Sequence, residues 1–177
     1  MTITLISCLA AALLLWSMLT DYLYAVIPNM VTASIALLFV AFAIASGMPW
    51  SAWGAALGAG GLLLVAGFAL FTFGVIGGGD AKLLAATALW AGWQGLPDLL
   101  MIMGLAGGLV TLPIMIFHGR FAEGRLWARR ALGHRVAILG TGRRVNVMAA
   151  HPTDRMIPYG IAISVAALPA VLAPMGF

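Results

Sequence analysis

Long apolar stretches, separated by short turns, constrain the fold of this chain more than any other feature. A helix of about 20 apolar residues crosses the hydrocarbon core of a bilayer while satisfying its own backbone hydrogen bonds. Hydrophobic residues make up 63% of the chain and charged residues 8%. Soluble domains contain fewer hydrophobic and more charged residues than this. The sequence therefore predicts an all-α membrane protein with a single domain over 1–177. We expect a polytopic bundle of about six spans, at 2–20, 31–46, 51–73, 81–93, 99–117 and 157–172.

The basic residues indicate how this bundle is oriented. Of the nine Lys and Arg residues, all but Lys82 lie between the last two spans, in a basic loop at about 118–156. Lys and Arg near span ends stay on the cytoplasmic side, so we expect this loop, and the turns that precede spans two and four, to be cytoplasmic. The loop is expected to lie against anionic lipid, and a protein-docking role is the alternative. An aromatic belt is predicted at the opposite turns, formed by Trp50, Trp53, Trp90 and Trp93.

A glycine-rich stretch carries a carboxylate into the start of the fourth span. Gly77, Gly78 and Gly79 have no side chains to fill space, so another backbone or a substrate can approach Asp80, which follows them. The alternative is a tight turn in which Asp80 is the N-cap of the next helix. Lys82 either belongs to this site or extends to the membrane interface.

Asp21 and Asp80 are the two acidic residues whose positions call for a function. Asp98 is predicted in an outer turn, and Glu123 and Asp154 lie in the basic loop, where solvated ion pairs are the ordinary explanation. Asp21 is the only charged residue in the first 79 positions. A charge at the edge of a bilayer is costly unless it faces protein, water or a functional partner, and a location among the lipid headgroups is the alternative.

Two carboxylates in one recessed site can hydrolyse a peptide bond without a nucleophilic side chain. Like charges brought close cannot both ionise, so the pair shares one proton. The ionised partner then takes a proton from water while the protonated partner polarises the scissile carbonyl. His118, His134 and His151 lack the spacing of a zinc-binding helix, so we expect neither a metal nor a cofactor.

Two further predictions concern packing. The third span contains small residues at the spacing that lets membrane helices approach closely, namely Gly54, Gly58 and Gly61 with Ala52 and Ala56. Cys8 is the single cysteine, so it forms no internal disulfide, and we expect it to be a small packing residue.

Three short motifs, in the same order along the chain, resemble those of the type IV prepilin peptidase family of membrane aspartic proteases. The motif that begins at Asp21 resembles the first catalytic aspartate of that family and its downstream turn. The motif around Asp80 resembles the GxGD motif of the family, and the motif at Pro158 resembles the start of its last span. The residues concerned are Asp21 with Ile27, Pro28 and Asn29, then Gly77, Gly78, Gly79, Asp80 and Lys82, then Pro158, Tyr159 and Gly160.

This resemblance implies an endopeptidase that removes leader peptides from prepilins at the cytoplasmic face of a bacterial inner membrane, with Asp21 and Asp80 as the catalytic pair. The chain looks most like the short CpaA/TadV-like subgroup, which processes Flp-type pilins. The implied partners are a prepilin or pseudopilin substrate and membrane lipid, but no nucleic acid. Two other classes stay open: a small proton- or cation-coupled transporter, and a non-catalytic assembly subunit. Two acids on one face favour the protease, whereas acids on opposite faces favour a transport pathway.

Overall fold

The computed structural model describes residues 1–116 and 159–173, and helices make up most of these two ranges. The helices are α1 (Thr2–Tyr24), α2 (Asn29–Ala45), α3 (Trp50–Thr72), α4 (Gly78–Ile116) and α5 (Tyr159–Leu172). No strand occurs in the described ranges, and the predicted all-α class is confirmed. The predicted basic loop at about 118–156 and Pro158 lie outside the described residues.

The helices have the length and composition of a membrane protein. In the part of the chain that the structure describes, α1, α3 and the segment Gly78–Pro113 of α4 are each long and apolar enough to cross a bilayer. The other two helices are apolar but shorter, with 17 residues in α2 and 14 in α5. A helical membrane bundle is therefore supported, while the count of about six spans stays a prediction.

One helix, α4, contains both segments that the sequence predicts as spans four and five. It breaks at Gly92, where the backbone takes φ 62° and ψ −176°, a conformation that glycine adopts without the steric cost a side chain would add. The outer turn predicted around Asp98 is wrong, because residues 95–98 are helical and Pro97 lies within the second arm of α4, residues 93–116. Asp98 is accordingly exposed on a helix rather than in a turn.

The first arm of α4, residues 78–91, runs antiparallel to α3. A methyl group on Gly60 would lie 2.6 Å from Leu89 Cδ2, and a methyl group on Gly67 would lie 3.1 Å from Ala81. Later positions in α3 thus meet earlier positions in α4. Because these glycines lack side chains, the two helices approach closely along the whole first arm.

The packing predictions made from small residues are wrong for the three glycines and for Cys8, whereas Ala56 is buried against Phe39 and Ala43 as expected. The positions of Gly54, Gly58 and Gly61 have open space on the side where a methyl group would project. Cys8 is exposed rather than packed inside the bundle. Residue size shows that a helix could pack closely at a position, but which side of that helix faces a neighbour depends on the tertiary arrangement.

The buried core lies between the helices and consists mainly of aliphatic side chains. Leu14 of α1, Ile35 of α2, Leu83 of α4 and Val171 of α5 are all fully buried in one cluster. Many large apolar side chains point outward instead, such as Leu109, which is 75% exposed. An apolar exterior around an apolar core is what a bilayer-embedded bundle requires.

Candidate active site

Asp21 lies in the last turn of α1 and is only 4% exposed. The sequence predicts a span that ends at residue 20, but the helix continues to Tyr24, so Asp21 is helical. The helix ends at Ala25, which takes a left-handed conformation with φ 50° and donates its N–H to Asp21 O at 2.8 Å. Asp21 therefore faces the protein interior rather than the lipid headgroups.

Asp80 is the third residue of α4 and caps that helix from within. The backbone N–H of Gly77 donates to Asp80 Oδ2 at 3.2 Å, and Ala81 N–H donates to Gly77 O at 3.1 Å. This is one half of a capping box, in which the third helical residue reaches back to the residue before the helix. The N-cap position predicted as an alternative for Asp80 belongs to Gly77 instead. Asp80 Oδ1 is buried and has no hydrogen-bond partner among the described residues.

Ile27 connects the two aspartates. It lies between α1 and α2, and it is 7% exposed. A methyl group on Gly79, next to Asp80, would lie 3.2 Å from Ile27 Cβ. A methyl group on Gly160 would lie 2.8 Å from Ile27 Cδ1 and 2.8 Å from Asp21 Oδ2. Asp21 and Asp80 thus lie at the same end of the bundle, around the Ile27 side chain.

The remaining predicted residues surround this arrangement. Pro28 precedes α2 in an extended conformation, and its carbonyl oxygen accepts the N–H of Val31 at 3.0 Å. The ring of Phe71 covers Gly78, where a methyl group would lie 3.3 Å from Phe71 Cε2. Tyr159 is partly buried at the first position of α5.

Lys82 points toward α2 rather than only toward the membrane interface. Its Nζ donates a hydrogen bond to Asn29 Oδ1 at 3.0 Å. Asn29 is the first residue of α2, so this contact joins two helix beginnings that are 53 residues apart in sequence. Both side chains are exposed.

A cavity of about 500 Å³ opens between α2, α3 and the first arm of α4. Its polar lining residues are Asn29, Thr32 and Lys82, all near the helix beginnings at the Asp80 end. Most of the remaining lining is apolar and small, including Gly60 and Ala85. The cavity is therefore suited to an apolar ligand whose polar part lies beside Lys82.

Ile27 is notable in the sequence only as part of the turn motif with Pro28 and Asn29, which predicts no contact for it. The structure places it against Gly79, next to Asp80, and against Gly160, which also lies beside Asp21. Within the described residues, no group of three or more His, Cys, Asp or Glu side chains could hold a metal ion. The three histidines lie outside the described residues, so the absence of a metal and of a cofactor stays a prediction.

Apolar helices that carry two carboxylates at one end of the bundle define a class of protein: a helical membrane protein with two acidic side chains at the same end. Within that class, the family model of the type IV leader peptidase family matches residues 8–112, a range that includes Asp21 and Asp80. This match covers more than half of the chain. The chain belongs to the type IV leader peptidase family, and the resemblance inferred from the three motifs is confirmed.

Two curated relatives show the same relationship over a shorter segment. The chain is similar to the prepilin leader peptidase/N-methyltransferase of Pectobacterium carotovorum subsp. carotovorum and to that of Dickeya chrysanthemi. Each is 54% identical to it over 37 residues, which are 21% of this chain and 13% of the relative. No solved structure matches the chain.

Proposed function

We propose that this protein is an aspartic endopeptidase that removes the leader peptide from Flp-type prepilins, with Asp21 and Asp80 as the catalytic pair. The observation that carries this proposal is the position of both carboxylates at one end of the bundle, around Ile27. A transport pathway would favour acids on opposite faces of the membrane, so the shared position favours hydrolysis over transport. Membership of the type IV leader peptidase family supports the reaction.

The contacts that hold Asp80 and Asp21 support their joint action in hydrolysis. Asp80 Oδ2 is held by Gly77 N–H, while Oδ1 has no hydrogen-bond partner among the described residues and is the oxygen proposed to meet water or the scissile carbonyl. Asp21 is held in the last turn of α1 by the cap at Ala25. With one proton shared between them, one carboxylate takes a proton from the attacking water and the other donates a hydrogen bond to the carbonyl oxygen.

The cavity beside Asn29 and Lys82 is lined by neither aspartate, so we assign it no part in binding the segment that is cleaved. The resemblance to the CpaA/TadV-like subgroup is the support for an Flp-type substrate in particular. The arginines at 118–156 support the cytoplasmic face of a bacterial inner membrane as the place of cleavage.

This orientation predicts different accessibility for cysteines at the two ends of the bundle. In a Cys8→Ser background, we expect Ser51→Cys to react with an impermeant thiol reagent added outside intact cells, and Val75→Cys to react only after permeabilisation. Both positions are exposed on the protein, so access from one side of the membrane is what differs. Labelling of Val75→Cys from outside would reverse the orientation.

The catalytic proposal is tested by co-expressing the protein with an Flp-type prepilin and sequencing the product from its N-terminus. Asp21→Asn and Asp80→Asn should each lower the cleavage rate by about 10² to 10⁴, because asparagine cannot ionise. Asp98→Asn, at an exposed position in the second arm of α4, should cleave normally. If both site variants process the prepilin at the wild-type rate, the proposed function is wrong.

A further inference from the structure

The hydrogen bond between Lys82 and Asn29 lies beside the candidate catalytic pair but involves neither aspartate. Lys82 Nζ donates to Asn29 Oδ1 at 3.0 Å, from the first turns of α4 to the first residue of α2. On a helix, residues two positions apart project from nearly opposite sides, so the Lys82 side chain leaves α4 on a different side from that of Asp80. Any effect of Lys82 on Asp80 through this hydrogen bond therefore passes through the backbone of α4.

Two contacts hold the beginning of α4 against the segment 27–29, and Asp80 lies between them in sequence. On one side of Asp80, Gly79 packs on Ile27. On the other side, Lys82 is hydrogen-bonded to Asn29. The same segment meets α5 through Ile27 and Gly160. The segment 27–29 is thus a shared support for the helix beginnings around both aspartates.

We propose that Asn29 and Lys82 are positioning residues: their hydrogen bond fixes the first turn of α4 on the segment 27–29 and so sets Asp80 relative to Asp21. This inference rests on the proposed function, since it concerns the geometry of the same reaction. A displacement of about 1 Å at a reacting group lowers a rate by as much as 10²-fold. A single exposed hydrogen bond contributes little to stability. The pair therefore affects the rate of the chemical step far more than the folding of the protein.

The test measures kcat, KM and the unfolding temperature of the full chain in detergent, with a purified Flp-type prepilin as substrate. Asn29→Leu and Lys82→Met remove the hydrogen bond from either side, and each should lower kcat about 10- to 100-fold while KM and the unfolding temperature stay unchanged. The double variant should be no slower than the slower single variant, because both changes remove one contact. Gln94→Leu is the matched control, since Gln94 is an exposed polar residue at the other end of the bundle, and it should cleave normally.

Conservative variants distinguish the hydrogen bond from the charge and from a structural role. Asn29→Asp keeps an acceptor and Lys82→Gln keeps a donor, so both should retain most of the wild-type kcat. The inference is overturned if Asn29→Leu and Lys82→Met cleave at the wild-type rate, or if their losses multiply in the double variant. If Lys82→Gln lowers kcat as much as Lys82→Met does, the charge of Lys82 matters rather than the hydrogen bond, and the inference is overturned. If the unfolding temperature of Asn29→Leu and Lys82→Met falls together with kcat, the pair serves folding, and the inference is also overturned. Failure of the wild-type protein to cleave prepilin would instead overturn the proposed function, and this inference with it.

Discussion

The two ends of the bundle are held together in different ways. The end far from Asp21 and Asp80 is held by large aromatic side chains. There the ring of Phe39 packs edge-on against both Trp53 and Trp90, with centroids 5.9 Å apart in each pair. Trp90 Nε1 also donates a hydrogen bond to Ile35 O at 3.1 Å. Contacts of this kind fix the relative positions of α2, α3 and α4 through filled volume.

At the end that holds Asp21 and Asp80, the helices approach closely because glycines replace larger side chains at the contacts. Gly79 and Gly160 bring the beginnings of α4 and α5 directly against Ile27, and Gly160 also lies against Asp21. Because these glycines have no side chains, the helix beginnings approach Ile27 closely, and both carboxylates lie beside these contacts. From this difference we infer that the aromatic contacts contribute mainly to stability, whereas the glycine contacts at Ile27 determine where the two carboxylates lie. Substitutions at the two ends should therefore affect different quantities.

Phe39→Ala should have the largest effect, and it should be an effect on stability. Phe39 is 1% exposed, and truncation of a buried aromatic side chain costs about 3 to 5 kcal/mol. The free energy of unfolding in detergent should fall by that amount, while kcat per folded molecule stays at the wild-type value. Leu37→Ala, on the same helix but 68% exposed, is the control and should change little. A loss of kcat without a loss of stability would remove the distinction between the ends.

Gly160→Ala should give the opposite result. The added methyl group would lie 2.8 Å from Asp21 Oδ2 and from Ile27 Cδ1, and both atoms are at the ends of side chains that can move aside. The fold should survive, but the displaced carboxylate should lower kcat about 100-fold, or ~2.7 kcal/mol in the barrier. Gly54→Ala adds a methyl group in open space and should leave both quantities unchanged. If Gly160→Ala unfolds the protein while cleavage per folded molecule is normal, Gly160 serves packing alone.

Trp90→Phe should have the smallest effect of the three. Phenylalanine keeps much of the ring contact with Phe39 but cannot donate to Ile35 O, so the free energy of unfolding should fall by about 1 kcal/mol. Cleavage should stay at the wild-type rate. A change in kcat in this variant would show that the aromatic end influences the site, which the comparison of the two ends does not predict.

The parts of the fold that depend on local pattern could be predicted from the sequence. Apolar length is sufficient to identify helices of membrane-spanning character, and the scarcity of acids draws attention to Asp21 and Asp80. The glycines before Asp80 indicate a helix start there, although the structure makes Gly77 the residue before the helix and Asp80 its third residue. The family resemblance carried by these motifs is confirmed.

The parts that depend on contacts distant in sequence could not be predicted. Ala25 ends α1 in a left-handed conformation for which alanine has no preference, so the sequence gives no signal for it. Gly92, rather than Pro97, breaks α4, although the sequence offers both residues as places for a break. The hydrogen bond between Asn29 and Lys82 joins residues 53 positions apart, and no local pattern encodes it.

The central claim is that Asp21 and Asp80 act as one unit, and a double variant tests it most directly. The measurement is the single-turnover rate of leader cleavage by wild type, Asp21→Asn, Asp80→Asn and the variant that carries both changes. Groups that act as a unit lose their contribution when either is removed, so the double variant should be no slower than the slower single variant. Losses that multiply in the double variant, or wild-type cleavage by either single variant, would contradict the account.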